Sequence, residues 1–146
     1  KRTILGWIVM FAVVLALGGC VTTTTLEPTV TITSIKTPVE RSNEEISDFC
    51  KIIIANPGEE SYRVYWQWTE LNSQGEVVWS GVGREEYYLY PGYREELSLN
   101  ALFPPDDYEA GLYTLVIRLI TPGPDGVVGT NDDVVLAEDR KSFELR

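Results

Sequence analysis

The chain has 146 residues, 22 Asp+Glu against 12 Lys+Arg, a formal net charge of −10 at pH 7, and no histidine. So acidic a surface repels phosphate backbones, which proteins hold through clustered Lys and Arg, and this argues against nucleic-acid binding. The missing histidine removes Ser-His-Asp and Cys-His nucleophilic sites and His-ligated zinc.

The first element is N-terminal. Lys1 and Arg2 precede an uncharged, mostly apolar run from Ile4 to Leu17, which ends at Gly18-Gly19-Cys20. A basic start, an apolar stretch and small residues before a cleavage point predict a secretory signal over residues 1–19. The run is 14 residues long with Gly6 inside it. A bilayer-spanning helix needs about 20 apolar residues. Leu17-Gly18-Gly19-Cys20 resembles the lipobox of prokaryotic lipoproteins. The resemblance implies an exported chain, lipidated on Cys20 and held at a membrane outside the cytoplasm. One acyl chain anchors a protein only marginally, and lipoproteins of this kind carry several on the one cysteine. Two other readings stand beside it: an uncleaved helix with a chance cysteine, and a pilin-like subunit that keeps its apolar helix to build a filament.

Loss of residues 1–19 would leave 127 residues, enough for one domain with a core, and a net charge of −12. Such acidity keeps a tethered module soluble and off anionic headgroups. With Cys20 lipidated, Cys50 is the one remaining thiol, so no intrachain disulfide can form. Cys50 sits in a strand-like run and reads as a buried structural thiol, with a reactive thiol as the alternative.

Residues 20–28 carry the lipidated cysteine and a Thr-rich tether, too poor in apolar side chains to bury a surface. From Thr29 to the end, short β-rich runs alternate with turn signals. Val30 and Ile32 mark a first strand, stopped at Lys36-Thr37-Pro38, and Arg41–Glu45 reads as a polar connection. Ile46, Asp48, Cys50, Ile52 and Ile54 share one face of a second strand, closed by Asn56-Pro57-Gly58. Tyr62–Leu71 alternates, with Val64, Trp66 and Trp68 pointing one way. A fourth strand spans Glu76–Val82. A short aromatic strand, Glu86–Tyr90, and the run Tyr93–Leu99 follow. Gly111–Ile120 is the clearest core strand, with Tyr113, Leu115, Ile117 and Leu119 on one face. In Val134–Leu145, Phe143 and Leu145 face one way. Short strands with turns every 8–12 residues predict an antiparallel sandwich.

Ala110-Gly111-Leu112-Tyr113-Thr114-Leu115 resembles the start of strand F of an immunoglobulin-like domain. There a tyrosine hydroxyl bonds backbone upstream. Trp66 resembles the core tryptophan of strand C, and the Ile52/Ile54 face resembles strand B. The resemblance covers residues 29–146 and implies an all-β, immunoglobulin-like antiparallel β-sandwich of about 7–8 strands. It is similar to CARDB-type surface modules and, more loosely, to the BsuPI-type proteinase-inhibitor domain. The BsuPI likeness rests on Asn56-Pro57-Gly58, Gly75-Glu76-Val77-Val78-Trp79 and Gly111-Leu112-Tyr113. A fold of this kind does not fix function.

Two places carry candidate chemistry. The loop Pro122–Asp133 resembles Gly/Asp-rich calcium-associated segments of prokaryotic surface proteins. Asp125, Asn131, Asp132 and Asp133 supply the hard oxygens that calcium takes; the other reading is a plain acidic hairpin. Tyr87, Tyr88, Tyr90 and Tyr93, with Tyr65 and Trp79, form an aromatic set able to stack on a sugar or anchor a protein partner, although strand alternation puts about half of such rings in the core. Carboxylate-only catalysis of the glycosidase kind remains open in principle, but 22 acidic residues produce close pairs by chance. The expectation is a membrane-anchored, non-catalytic lipoprotein. Its domain binds or assembles with a protein or carbohydrate partner and requires no cofactor, calcium being the one candidate ion. The alternative is a structural subunit of an envelope or pilus-like filament.

Overall fold

The computed structural model describes residues 25–146. The expected signal 1–19, Cys20 and the first half of the tether lie outside them. Every regular element among the described residues is a strand: β1 Thr29–Ile35, β2 Ser42–Ala55, β3 Tyr62–Leu71, β4 Val77–Val82, β5 Tyr87–Leu89, β6 Arg94–Phe103, β7 Gly111–Thr121 and β8 Val134–Leu145. They form two antiparallel sheets. One is ordered β1-β2-β6, the other β4-β3-β7-β8, with the short β5 also paired to β3.

The sheets pack into a sandwich through the alternation read from the sequence. Ile52 and Ile54 of β2 face Leu115, Ile117 and Leu119 of β7, all fully buried. Phe143 and Leu145 of β8 are buried as expected. The centre is an aromatic cluster about Phe49, whose ring centroid lies 5.1 Å from Phe103, 5.1 Å from Phe143 and 5.8 Å from Trp68. Such tilted and edge-on pairs add to plain area burial.

Strict alternation does not predict Phe49. It would place Asp48 inward and Phe49 outward. The β2–β6 register shifts between Ile46 and Cys50, and Asp48 takes a positive φ of 50°. A bulge inserts one residue and re-aims those that follow. Asp48 turns out to meet Ser98, while Phe49 and Cys50 are both fully buried. The connection expected at Arg41–Glu45 is also shorter than the sequence suggests. β2 already begins at Ser42, paired with Phe103.

The two long sides of the sandwich differ. On one, β1 closes against β8: Asp139 Oδ2 accepts from Ile32 N at 2.7 Å, and Val39 exchanges backbone bonds with Glu144 and Arg146 at 2.9 Å each. On the other side lie β4 and β6, each paired, among the described residues, on one edge only. No hydrogen bond joins β4 to β6 among the described residues, and a groove opens between them and extends past the Gly83–Glu85 connection toward β5.

Candidate functional site

The groove is built by side chains that period 2 sends inward from β3. Trp66, Trp68 and Glu70 share that face, and Trp79 of β4 pairs directly opposite Glu70. Ala101 and Leu102 of β6 and Tyr108 of the following loop make the facing wall of a cavity of about 350 Å³. A second cavity, about 310 Å³, continues beyond Trp66 and is lined by Tyr87, Arg84, Leu97 and Leu99. Trp66 borders both.

Two glycines make room for the rings. The Trp79 ring lies over Gly81, and the Trp66 ring over Gly83, where an added Cβ would sit 2.6 Å from Nε1. A side chain at either position would displace the indole above it. This also explains a difference from the sequence reading. Trp66, expected as the core tryptophan, swings over Gly83 and is half-buried. Trp68, 5% exposed and in contact with Phe49, takes the core position instead.

Glu70 is the chemically distinctive group, a carboxyl only 4% exposed. Trp68 Nε1 donates to its Oε1 at 2.6 Å, and the Tyr108 hydroxyl donates to its Oε2 at 2.5 Å. Both oxygens therefore act as acceptors, the bonding pattern of a carboxylate. Burial pushes the Glu70 pKa above the ordinary glutamate value, opposed by the bonds from Tyr108 and Trp68. Burial, and then the bond to Glu70, push the Tyr108 phenol up as well. Glu70 forms no ion pair among the described residues. Arg41 approaches Tyr108 from its backbone side and donates to the carbonyls of Tyr108 and Arg146.

Of the four candidate tyrosines, one lines the groove. Tyr87 is half-buried in the second cavity. Tyr93 is half-buried, donates to Glu95 and packs edge-on against Tyr90 with centroids 5.3 Å apart. Tyr88 and Tyr90 are 57% and 54% exposed, away from both cavities. Sequence reasoning missed Glu70 and Tyr108; Trp79, named beside the tyrosine run, does line the groove. The signal for Glu70 was its register: it continues the inward set of Val64, Trp66 and Trp68, and a carboxylate on an apolar face needs partners.

The Pro122–Asp133 loop turns its carboxylates on its own backbone. Asp125 Oδ1 accepts from Val127 N at 2.8 Å. Asp132 Oδ2 accepts from Asp125 N at 3.1 Å. Asp133 Oδ2 takes Gly129 N at 2.7 Å and Thr130 N at 3.1 Å, while its Oδ1 is enclosed without a hydrogen-bond partner. Asn131 is exposed. Among the described residues, no three Cys, Asp or Glu side chains gather as a ligand set. Cys50 is free and buried, and desolvation pushes its thiol up to about 12, which holds it as an unreactive thiol at neutral pH.

The chain matches no family model and no curated protein. Its fold is similar to part of the Pseudomonas fluorescens alkylpurine DNA glycosylase AlkC bound to DNA containing an abasic site analog, at 13% identity and TM-score 0.49 over 82% of this chain and 29% of that one. It is similar to the Bacillus subtilis sporulation control protein Spo0M at 13% identity and TM-score 0.49, over 84% of this chain and 49% of that one. It is also similar to the ApaA protein of Bordetella pertussis at 16% identity and TM-score 0.44, over 80% of this chain and 94% of that one. The chain thus spans under two thirds of the length of the glycosylase and of Spo0M.

Proposed function

We propose that the protein is a non-catalytic binding module with an immunoglobulin-like fold, tethered outside the cytoplasm through lipid on Cys20, and that it takes a protein or carbohydrate partner in the β4–β6 groove. The observation that carries this reading is the groove itself. Its aromatic walls, a half-buried Trp66 and an exposed Trp79, stand beside a buried, hydrogen-bonded carboxylate, on the long side where, among the described residues, the sheets do not close. Rings of this kind dominate binding hot spots, and pockets with a few convergent polar groups are the usual form of ligand sites.

The immunoglobulin-like assignment is supported by the Tyr113 hydroxyl, which donates to the Glu109 carbonyl at 2.9 Å. This is the upstream backbone bond of a tyrosine corner. The strand orders β1-β2-β6 and β4-β3-β7-β8 suit the same fold. The membrane tether rests on the Leu17-Gly18-Gly19-Cys20 sequence. Loss of the anchor in Cys20→Ser, read as release of a folded domain into the soluble fraction, tests it. Retention after a carbonate wash means a retained helix.

A photo-activated cross-linker tests the groove in the cells that make the protein. Placed at Trp79 on the groove it should give partner adducts, and placed at Val135 on β8 it should not. Equal adducts at both positions, or none at Trp79, overturn the reading. A second reading, assembly into an envelope structure, draws on the outer edge of β4. Among the described residues that edge has no strand partner, and β4 carries Val77 at 61% exposure, a template for strand addition.

A further inference from the structure

Glu70 is anomalous for a stability-only role. A buried carboxylate is normally paired with a cation or replaced by an apolar residue, because its desolvation is costly. Here two neutral donors satisfy its oxygens, and no Lys or Arg answers its charge among the described residues. Glu70 lines the 350 Å³ cavity, where the indoles of Trp66 and Trp79 stand beside it and Ala101, Leu102 and Tyr108 make the facing wall. The negative ring faces of tryptophans attract cations, and most strongly where water is excluded. Asp107, an exposed residue of the cavity lining, adds a second negative charge.

We infer that this cavity binds an alkylammonium group, with the Trp66 and Trp79 rings as its walls and Glu70 as its counter-charge. The inference rests on the proposed binding role of the groove and names the chemistry that the groove selects. An ammonium head on an apolar stem fits the lining. The stem takes the place of water against the indoles, and the head supplies the charge that Glu70 lacks. Each Glu70 oxygen accepts one bond from the protein and keeps capacity for another. A primary ammonium would therefore donate to the carboxylate, whereas a quaternary one would lie on the ring faces. An anionic ligand would meet Glu70 and Asp107 and be repelled, and a neutral sugar would leave the buried charge unanswered.

The test uses the full chain in detergent, followed by titration calorimetry. The probes are choline, as a quaternary ammonium, and Nα-acetyl-lysine methylamide, as a peptide lysine. The control is 3,3-dimethylbutan-1-ol, the neutral carbon isostere of choline. Saturable binding of at least one cation, with the isostere weaker by about tenfold or more, is expected. The stronger of the two cations identifies whether a quaternary amine or a lysine side chain is the source. Glu70→Gln should weaken the cation by at least about tenfold, and Trp79→Ala by about two- to fivefold. Val135→Ala, on the far strand, should leave it unchanged. Should Glu70→Gln fail to fold, Trp79→Ala on the exposed rim still decides. Equal binding of the isostere, indifference to both groove variants, or no saturable binding of either cation overturns the inference. If the cations do not bind but Trp79 still cross-links a partner, the cation chemistry fails alone. If both results are negative, the groove itself is not a binding site.

Discussion

The Tyr108 hydroxyl donates to Glu70 Oε2 at 2.5 Å across 38 residues of chain, tying the loop after β6 to the inward face of β3. Trp68 completes the arrangement from two residues away on the same strand. The bond fixes one end of the groove, because Tyr108 is also held edge-on by Phe103 with centroids 5.2 Å apart.

This relationship has a pH signature. Burial raises the folded-state pKa of Glu70, so the folded protein keeps that proton to higher pH than the unfolded chain. Its contribution is fully present below the ordinary glutamate value and is lost as pH rises through the folded-state value. Glu70→Gln removes that dependence. Relative to the variant, the parent should lose stability on going up from the ordinary glutamate range, and parallel denaturant midpoints across the pH series would contradict this. Glu70→Ala should be worse than Glu70→Gln at every pH, since it orphans two buried donors at about 1–3 kcal/mol each.

The two inward tryptophans should separate. Trp68→Ala should cost about 3–5 kcal/mol, the usual range for a buried large aromatic. Trp66→Ala should cost clearly less, because its ring stands at the groove and not against Phe49. Equal shifts of the urea midpoint would mean that both rings support the core alike.

Tyr113→Phe deletes the hydroxyl bonded to the Glu109 carbonyl and leaves the ring stacked near Phe143. The expected loss is about 0.5–1.5 kcal/mol. A thermal melt indistinguishable from the parent would remove this bond from the fold's support.

Much of this fold is legible in the sequence because its strands follow period 2 closely. β3 matches its expected bounds, and the inward set of β7 is buried as read. What escapes is what alternation cannot encode. The bulge at Asp48 re-aims Phe49, and no residue type announces that shift. The groove depends on which side of the sandwich stays open, a property of strand order rather than of any local run. The tyrosine run was visible, but it divides between Tyr87 in the groove and Tyr88 and Tyr90 in solvent. Trp79 and Tyr108 reach the site only through tertiary pairing.

The acidic loop should show no calcium-specific stabilisation. Its carboxylates already accept backbone N–H groups at Val127, Asp125, Gly129 and Thr130. Calcium and magnesium at equal ionic strength should raise the melting temperature equally, by screening alone. A larger shift with calcium that disappears in Asp132→Asn with Asp133→Asn would instead establish an ion site, since calcium accepts larger and more irregular oxygen shells.

The most direct measurement is partner cross-linking from Leu102, which is 47% exposed on the β6 wall. It compares the parent with a folded Trp66→Ala chain in the same cells. Removing the ring that borders both cavities should sharply reduce the adduct from Leu102, while expression and membrane retention stay as in the parent. An undiminished adduct in Trp66→Ala would contradict a binding role for the groove.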